Sequence, residues 1–70
     1  RVDEQWLLRR LRDHGVGTLD GGVTDRQQRR DAVRQAILGK DLGQIIVGSN
    51  PGGKAENYAS AFRRVYGEAL

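Results

Sequence analysis

An all-α fold, one small domain of three to four helices, is the class this sequence predicts, and three observations carry the expectation. Apolar residues recur at helical spacing over residues 2–14 and again over 54–67. Between them, Thr24-Asp25-Arg26-Gln27 has the signature of a helix start and Gly39 supplies a stop. The chain has 70 residues, too few for a parallel sheet built from strand–crossover–strand units of about 30 residues each. That length gives a single domain with a core near the lower limit for unaided folding.

In the first helix Leu7, Leu8 and Leu11 share one face, and Gly15 stops it. Trp6 lies off that stripe, at the edge of the core, where Arg10 one turn later can stack on it. His14 closes the helix, and an imidazole there faces a helix C-terminus rather than a metal. Residues 15–23 hold four glycines and Asp20-Gly21, a tight-turn signal. A hairpin over 16–24 would gain little by itself, so the stretch reads as a loop.

The second helix takes Thr24 as its cap, with Gln27 reaching back. Ala32, Val33, Ala36 and Ile37 supply its apolar face in the second half. In the first half the same side carries Arg26, Arg29 and Arg30, which predicts a helix protruding beyond the core with three guanidinia available for phosphates. The plainer alternative is arginine stems lying over apolar surface with their heads in water. After Lys40, residues Leu42, Ile45 and Ile46 have helical spacing with Asp41 as a cap, which predicts a short helix. Ile45-Ile46-Val47 is also β-branched and bounded by glycines, as a buried strand would be, but its only partner in view is the 16–24 loop.

Gly48-Ser49-Asn50-Pro51-Gly52-Gly53-Lys54 matches G-x-x-x-x-G-K, the phosphate loop of nucleotide-hydrolysing enzymes. Ala55 follows where the magnesium-binding hydroxyl belongs, and no run resembles the strand that carries the second metal-holding acid. The segment therefore reads as a breaker-rich turn, in which Lys54 could still clamp one nucleic-acid phosphate beside a helix start. In the last helix Ala55, Tyr58, Ala59, Phe62, Val65, Tyr66 and Ala69 form the core side. Asn57, Ser60 and Arg64 line the opposite face, with Arg63 and Glu56 flanking. These side chains are of the types that read base edges in a major groove. The stretch 40–66 thus resembles a helix-turn-helix with a turn longer and richer in glycine than usual.

Charge supports a polyanionic partner. Twelve cations against nine anions give a formal +3, and ten of the twelve are arginine, whose planar fork suits phosphate and base edges. A GC-rich coding sequence would produce the same bias. With no cysteine and one histidine the chain has no disulfide framework and no metal or cofactor constellation. No apolar run approaches the roughly 20 residues that span a bilayer, and no leader is visible, so a cytoplasmic protein without membrane contact is expected. A chain that opens on Arg1 reads as an excised domain or one with a trimmed end.

The expected function is a small, basic, non-enzymatic DNA-binding domain acting in transcription regulation without a cofactor. Arg26, Arg29, Arg30 and Lys54 would hold phosphates, and Asn57, Ser60 and Arg64 would face bases. The alternative is a helical protein–protein interaction module (adaptor, inhibitor or assembly subunit) using Trp6 and the leucine stripe, with Tyr58 or Tyr66 if exposed. Homodimerisation is compatible with either, and RNA is a further candidate partner. A continuous basic face joining the start of the second helix to the outer face of the last favours DNA. Arginines individually paired with Asp and Glu favour the interaction module.

Overall fold

A computed structural model describes residues 2–17, 24–49, 53 and 55–70. The elements are α1 (Glu4–Asp13), α2 (Arg26–Gly39), β1 (Ile46–Ser49), β2 (Ala55–Asn57) and α3 (Tyr58–Tyr66). The expected all-α class is therefore wrong: three helices accompany a two-stranded antiparallel sheet. The helix-turn-helix expected over 40–66 is corrected with it, since the described residues 41–49 form no helix and 46–49 are strand.

Local chemistry explains the helix ends. Asp3 caps α1, its carboxylate accepting from Trp6 N at 2.9 Å. Gly15, at φ 85°, closes α1 with Gly15 N donating to Arg12 O and Val16 N to Leu11 O. The α2 cap is Asp25 rather than Thr24. Its carboxylate accepts from Gln27 N at 3.0 Å, a closer match for the first free amides than the hydroxyl one residue back. At the other end of α2, Asp41 occupies the left-handed region at φ 53°. Asp41 N donates to Leu38 O and Leu42 N to Ile37 O, the pair of bonds that ends a helix with a left-handed residue. Asp41 therefore terminates α2 instead of capping a new helix.

Ile46 and Val47 become strand, with Ile45 just before it, because residues 55–57, expected as helix, pair with them instead. Ile46 pairs with Asn57 and Ser49 with Ala55, and the register shifts between those pairs. Two residues of β1 face one of β2 there, and Gly48 at φ 97° takes up the irregularity. The last helix starts at Tyr58 rather than near residue 54, since the Asn57 side chain accepts from Ser60 N at 2.8 Å and caps it. An asparagine that captures a backbone amide this way favours a helix start over a helix interior.

The core is Trp6, Leu7 and Leu11 from α1, Val16 just after it, Val33 and Ile37 from α2, Val47 from β1, and Tyr58, Ala61 and Phe62 from α3. The expected stripes of all three helices are largely present. Leu8, Val65 and Tyr66 pack against the core half-buried, and Ala55 and Ala69 are exposed outside α3. Trp6 sits at the core margin with the Arg10 guanidinium 5.6 Å from its ring centroid, as expected.

Candidate nucleic-acid interface

The α2 arginines lie against the body of the protein. Arg29 donates from Nε and Nη2 to Glu4 Oε1 on α1, at 3.1 and 2.8 Å, and from Nη1 to Thr24 O. Arg26 lies 3.4 Å from the same carboxylate, donates to Val65 O at 2.7 Å and covers the Tyr66 ring. Arg30 reaches Asp31 and Glu68. Arg34 joins them, bonding Glu68 and Leu70 O with its guanidinium 5.0 Å from the Phe62 ring. These contacts clamp α2 to α1, to α3 and to the segment after α3. The start of α2 is held by arginine rather than protruding from the core, and Arg26, Arg29 and Arg30 are each paired with Asp or Glu, the pattern named above as favouring the interaction module.

Glu4 collects the first of these clamps. Burial alone would raise its pKa, but hydrogen bonds from Arg29 and Tyr66, with the charges of Arg29 and Arg26, hold it below the ordinary carboxylate value. The Glu4 contact also raises the Arg29 pKa. The Tyr66 hydroxyl donates to Glu4 Oε2 at 2.7 Å, and burial first, then that carboxylate, pushes its ionisation upward. His14 behaves as a helix-end imidazole: Nδ1 lies 3.2 Å from Arg10 O and 2.6 Å from the Tyr58 hydroxyl. Because that hydroxyl also donates to Arg10 O at 2.8 Å, the consistent assignment has His14 Nδ1 protonated and donating to Tyr58.

Of the expected base-reading residues, two come together and one has a structural task. Ser60 and Arg64 line an open recess of about 490 Å³ with Ala55, Glu56 and Arg63. Asn57 caps α3 and gives its amide to Gln44 Oε1 at 3.1 Å. Lys54 lies outside the described residues, as do 50–52 of the glycine-rich turn and 18–23 of the earlier loop. Ser60 follows from Asn57 because the cap fixes where the helical turns begin, and Arg64 lies one turn beyond Ser60. Arg63 makes no ion pair or hydrogen bond with any described residue.

Glu56, expected to flank the outer face of the last helix, lies elsewhere. It is 7% exposed, on the inward side of β2. Arg64 Nε meets Glu56 Oε1 in an ion pair, yet neither carboxylate oxygen has a hydrogen-bond partner of good geometry. The compensation for its burial is Coulombic. No spacing signal could have found this pair, because it depends on β2 turning Glu56 inward before α3 begins.

Among the described residues no group of His, Cys, Asp and Glu could hold a metal, and no helix is long and apolar enough to cross a membrane. No family model matches the chain, and neither a curated protein nor a solved structure shows significant similarity to it.

Proposed function

We propose that the protein is a small non-enzymatic DNA-binding module that grips the nucleic-acid backbone at the recess between β2 and the later turns of α3. The observation that carries this reading is the gathering of Ser60, Arg63 and Arg64 around one open recess. In sequence the recess adjoins the glycine-rich turn and Lys54. A hydroxyl and two guanidinia on one helix face suit an oxyanion, and arginine forks match phosphate geometry. With the α2 arginines engaged as clamps, the footprint is small. A regulatory role and a cytoplasmic location accompany this reading.

Few phosphate contacts imply a shallow but measurable salt dependence, each contributing about 0.9 to the slope of log affinity against log salt. Titration of a random-sequence duplex at two salt concentrations should show affinity falling as salt rises. Arg63→Ala should flatten the slope by about one unit without sequence preference. An absence of salt-sensitive binding at micromolar protein would sink the proposal.

A protein-interaction module is the second reading, favoured by the ion pairing of the α2 arginines and by a different surface. Its expected contact residues Trp6, Leu7, Leu11 and Tyr58 lie in the core. Ile46 at the start of β1 and Ile45 just before it, however, are exposed, and no described strand pairs with the outer edge of that strand. Edge strands are usually protected by charge or proline, so an apolar one is open to pairing. Here Ile46→Lys should abolish partner capture and leave the duplex titration unchanged.

A further inference from the structure

We infer that Glu56 is a positioning residue for Arg64, and that the recess beside it takes one phosphate group. This rests on the nucleic-acid reading above and deepens it. Burying a carboxylate costs several kcal/mol unless a counter-charge compensates. The charge that meets Glu56 comes from Arg64, on the next element of the chain. The contact is made through Nε, on the stem side of the guanidinium. The Arg64 side chain stays 55% exposed, and its two terminal nitrogens make no hydrogen bond with any described residue. The guanidinium is thus held from behind and keeps its outer fork for a ligand.

That fork donates two parallel bonds to a tetrahedral oxyanion, the geometry in which arginine surpasses lysine. Ser60, one turn earlier on α3, adds a hydroxyl, and Arg63 adds a second guanidinium without an acidic partner among the described residues. Glu56 lines the recess, but its two carboxylate oxygens are closed to solvent and so offer the phosphate no direct contact. A purely non-specific basic surface has no use for a buried acid at this point.

Glu56→Gln separates the two cases because it raises the formal charge from +3 to +4. Non-specific attraction predicts tighter duplex binding. Positioning predicts binding weaker by roughly fivefold or more, the loss expected when a charge-assisted contact is misaligned. Arg64→Lys keeps the charge and the partner of Glu56 but loses the fork, and should weaken binding comparably. Thermal melts verify that each variant is folded at the assay temperature, and Arg64→Lys decides if Glu56→Gln is not. Unchanged or tighter duplex binding by a folded variant overturns the inference.

The subsite can also be tested without DNA, by titrating inorganic phosphate against the arginine Nε–H resonances. Saturable shifts at Arg63 and Arg64, lost in Glu56→Gln, support the site even if duplex binding fails and the function proposed above falls with it. Shifts spread over all arginines, or unaffected by Glu56→Gln, mean an adventitious ion only and overturn it.

Discussion

Glu4 is where α1, α2 and α3 meet, through Arg29 and Arg26 from one side and the Tyr66 hydroxyl from the other. Its pKa in the folded protein lies below the ordinary 4.5. The stability it contributes is therefore in place above about 4.5 and is lost as pH falls through the lowered value. Glu4→Gln should lower the melting temperature at neutral pH and flatten the acid limb of the melting-temperature profile. A profile parallel to the parent's would show that Glu4 is not the acid-sensitive clamp. The tyrosines act at the other end of the scale. Burial, helped by the charge of Asp13 and opposed by Arg10, pushes the Tyr58 hydroxyl up to about 12. Stability linked to Tyr58 is complete below its ordinary 10 and is lost as pH rises through 12. Absorbance titration should accordingly find no tyrosinate in the folded protein near pH 10. At this scale a sequence shows which residues can pair but not which do. Nothing in the spacing of Glu4 and Arg29, 25 positions apart, joins them until α1 and α2 pack.

Each helix was legible over its central turns, and the misreadings lie at the ends. Leu7, Leu11, Val33, Ile37, Tyr58 and Phe62 are buried as their periodicity requires, because a 3.6-residue repeat leaves an apolar stripe no better place. Phe62, fully buried and 4.9 Å from the Tyr66 ring, gives a direct test. Phe62→Ala should cost about 3–5 kcal/mol in chemical denaturation. That is a large part of the roughly 5–15 kcal/mol that holds a typical domain. A melting point within a few degrees of the parent's would mean that α3 does not anchor the core. The helix ends were harder, since Thr24, Asp25, Asp41 and Asn57 are all residues that can cap, and only geometry selects among them. Asp41 carries a prediction of its own. A residue with a Cβ at φ 53° is strained where glycine is not. Asp41→Gly should stabilise the protein by about 0.5–1 kcal/mol, read as a higher denaturation midpoint with an unchanged slope. A lower midpoint would mean that the Asp41 side chain contributes more than the backbone strain costs.

For the molecule as a whole, arginine serves as mortar as much as bait. Arg26, Arg29, Arg30 and Arg34 join α2 to Glu4 on one side and to Glu68 on the other. The Arg26 and Arg34 guanidinia also cover the Tyr66 and Phe62 rings. Such pairs are worth little singly when exposed and more when partly buried and shared. Arg63 and Arg64, in the last turn of α3, take no part in these clamps. Mg-ATP offers a control on the whole surface. With Ala55 in place of the magnesium-binding hydroxyl, calorimetry should find no tight binding and an activity assay no hydrolysis. Micromolar affinity lost on Lys54→Ala would restore the phosphate-loop reading.

The sequence by itself determined the three amphipathic helices, the faces they bury and the place of Trp6 at the core margin within reach of Arg10. All of these follow from residue type at short spacing, where chain geometry leaves few choices. The tertiary structure decided that Ile46–Ser49 and Ala55–Asn57 pair as strands, that the α2 arginines turn inward, and that Glu56 lies buried against Arg64. Each of these depends on what stands opposite in space. A β-branched run becomes strand only when another segment completes its hydrogen bonds, and an arginine faces solvent or protein according to the nearest carboxylate.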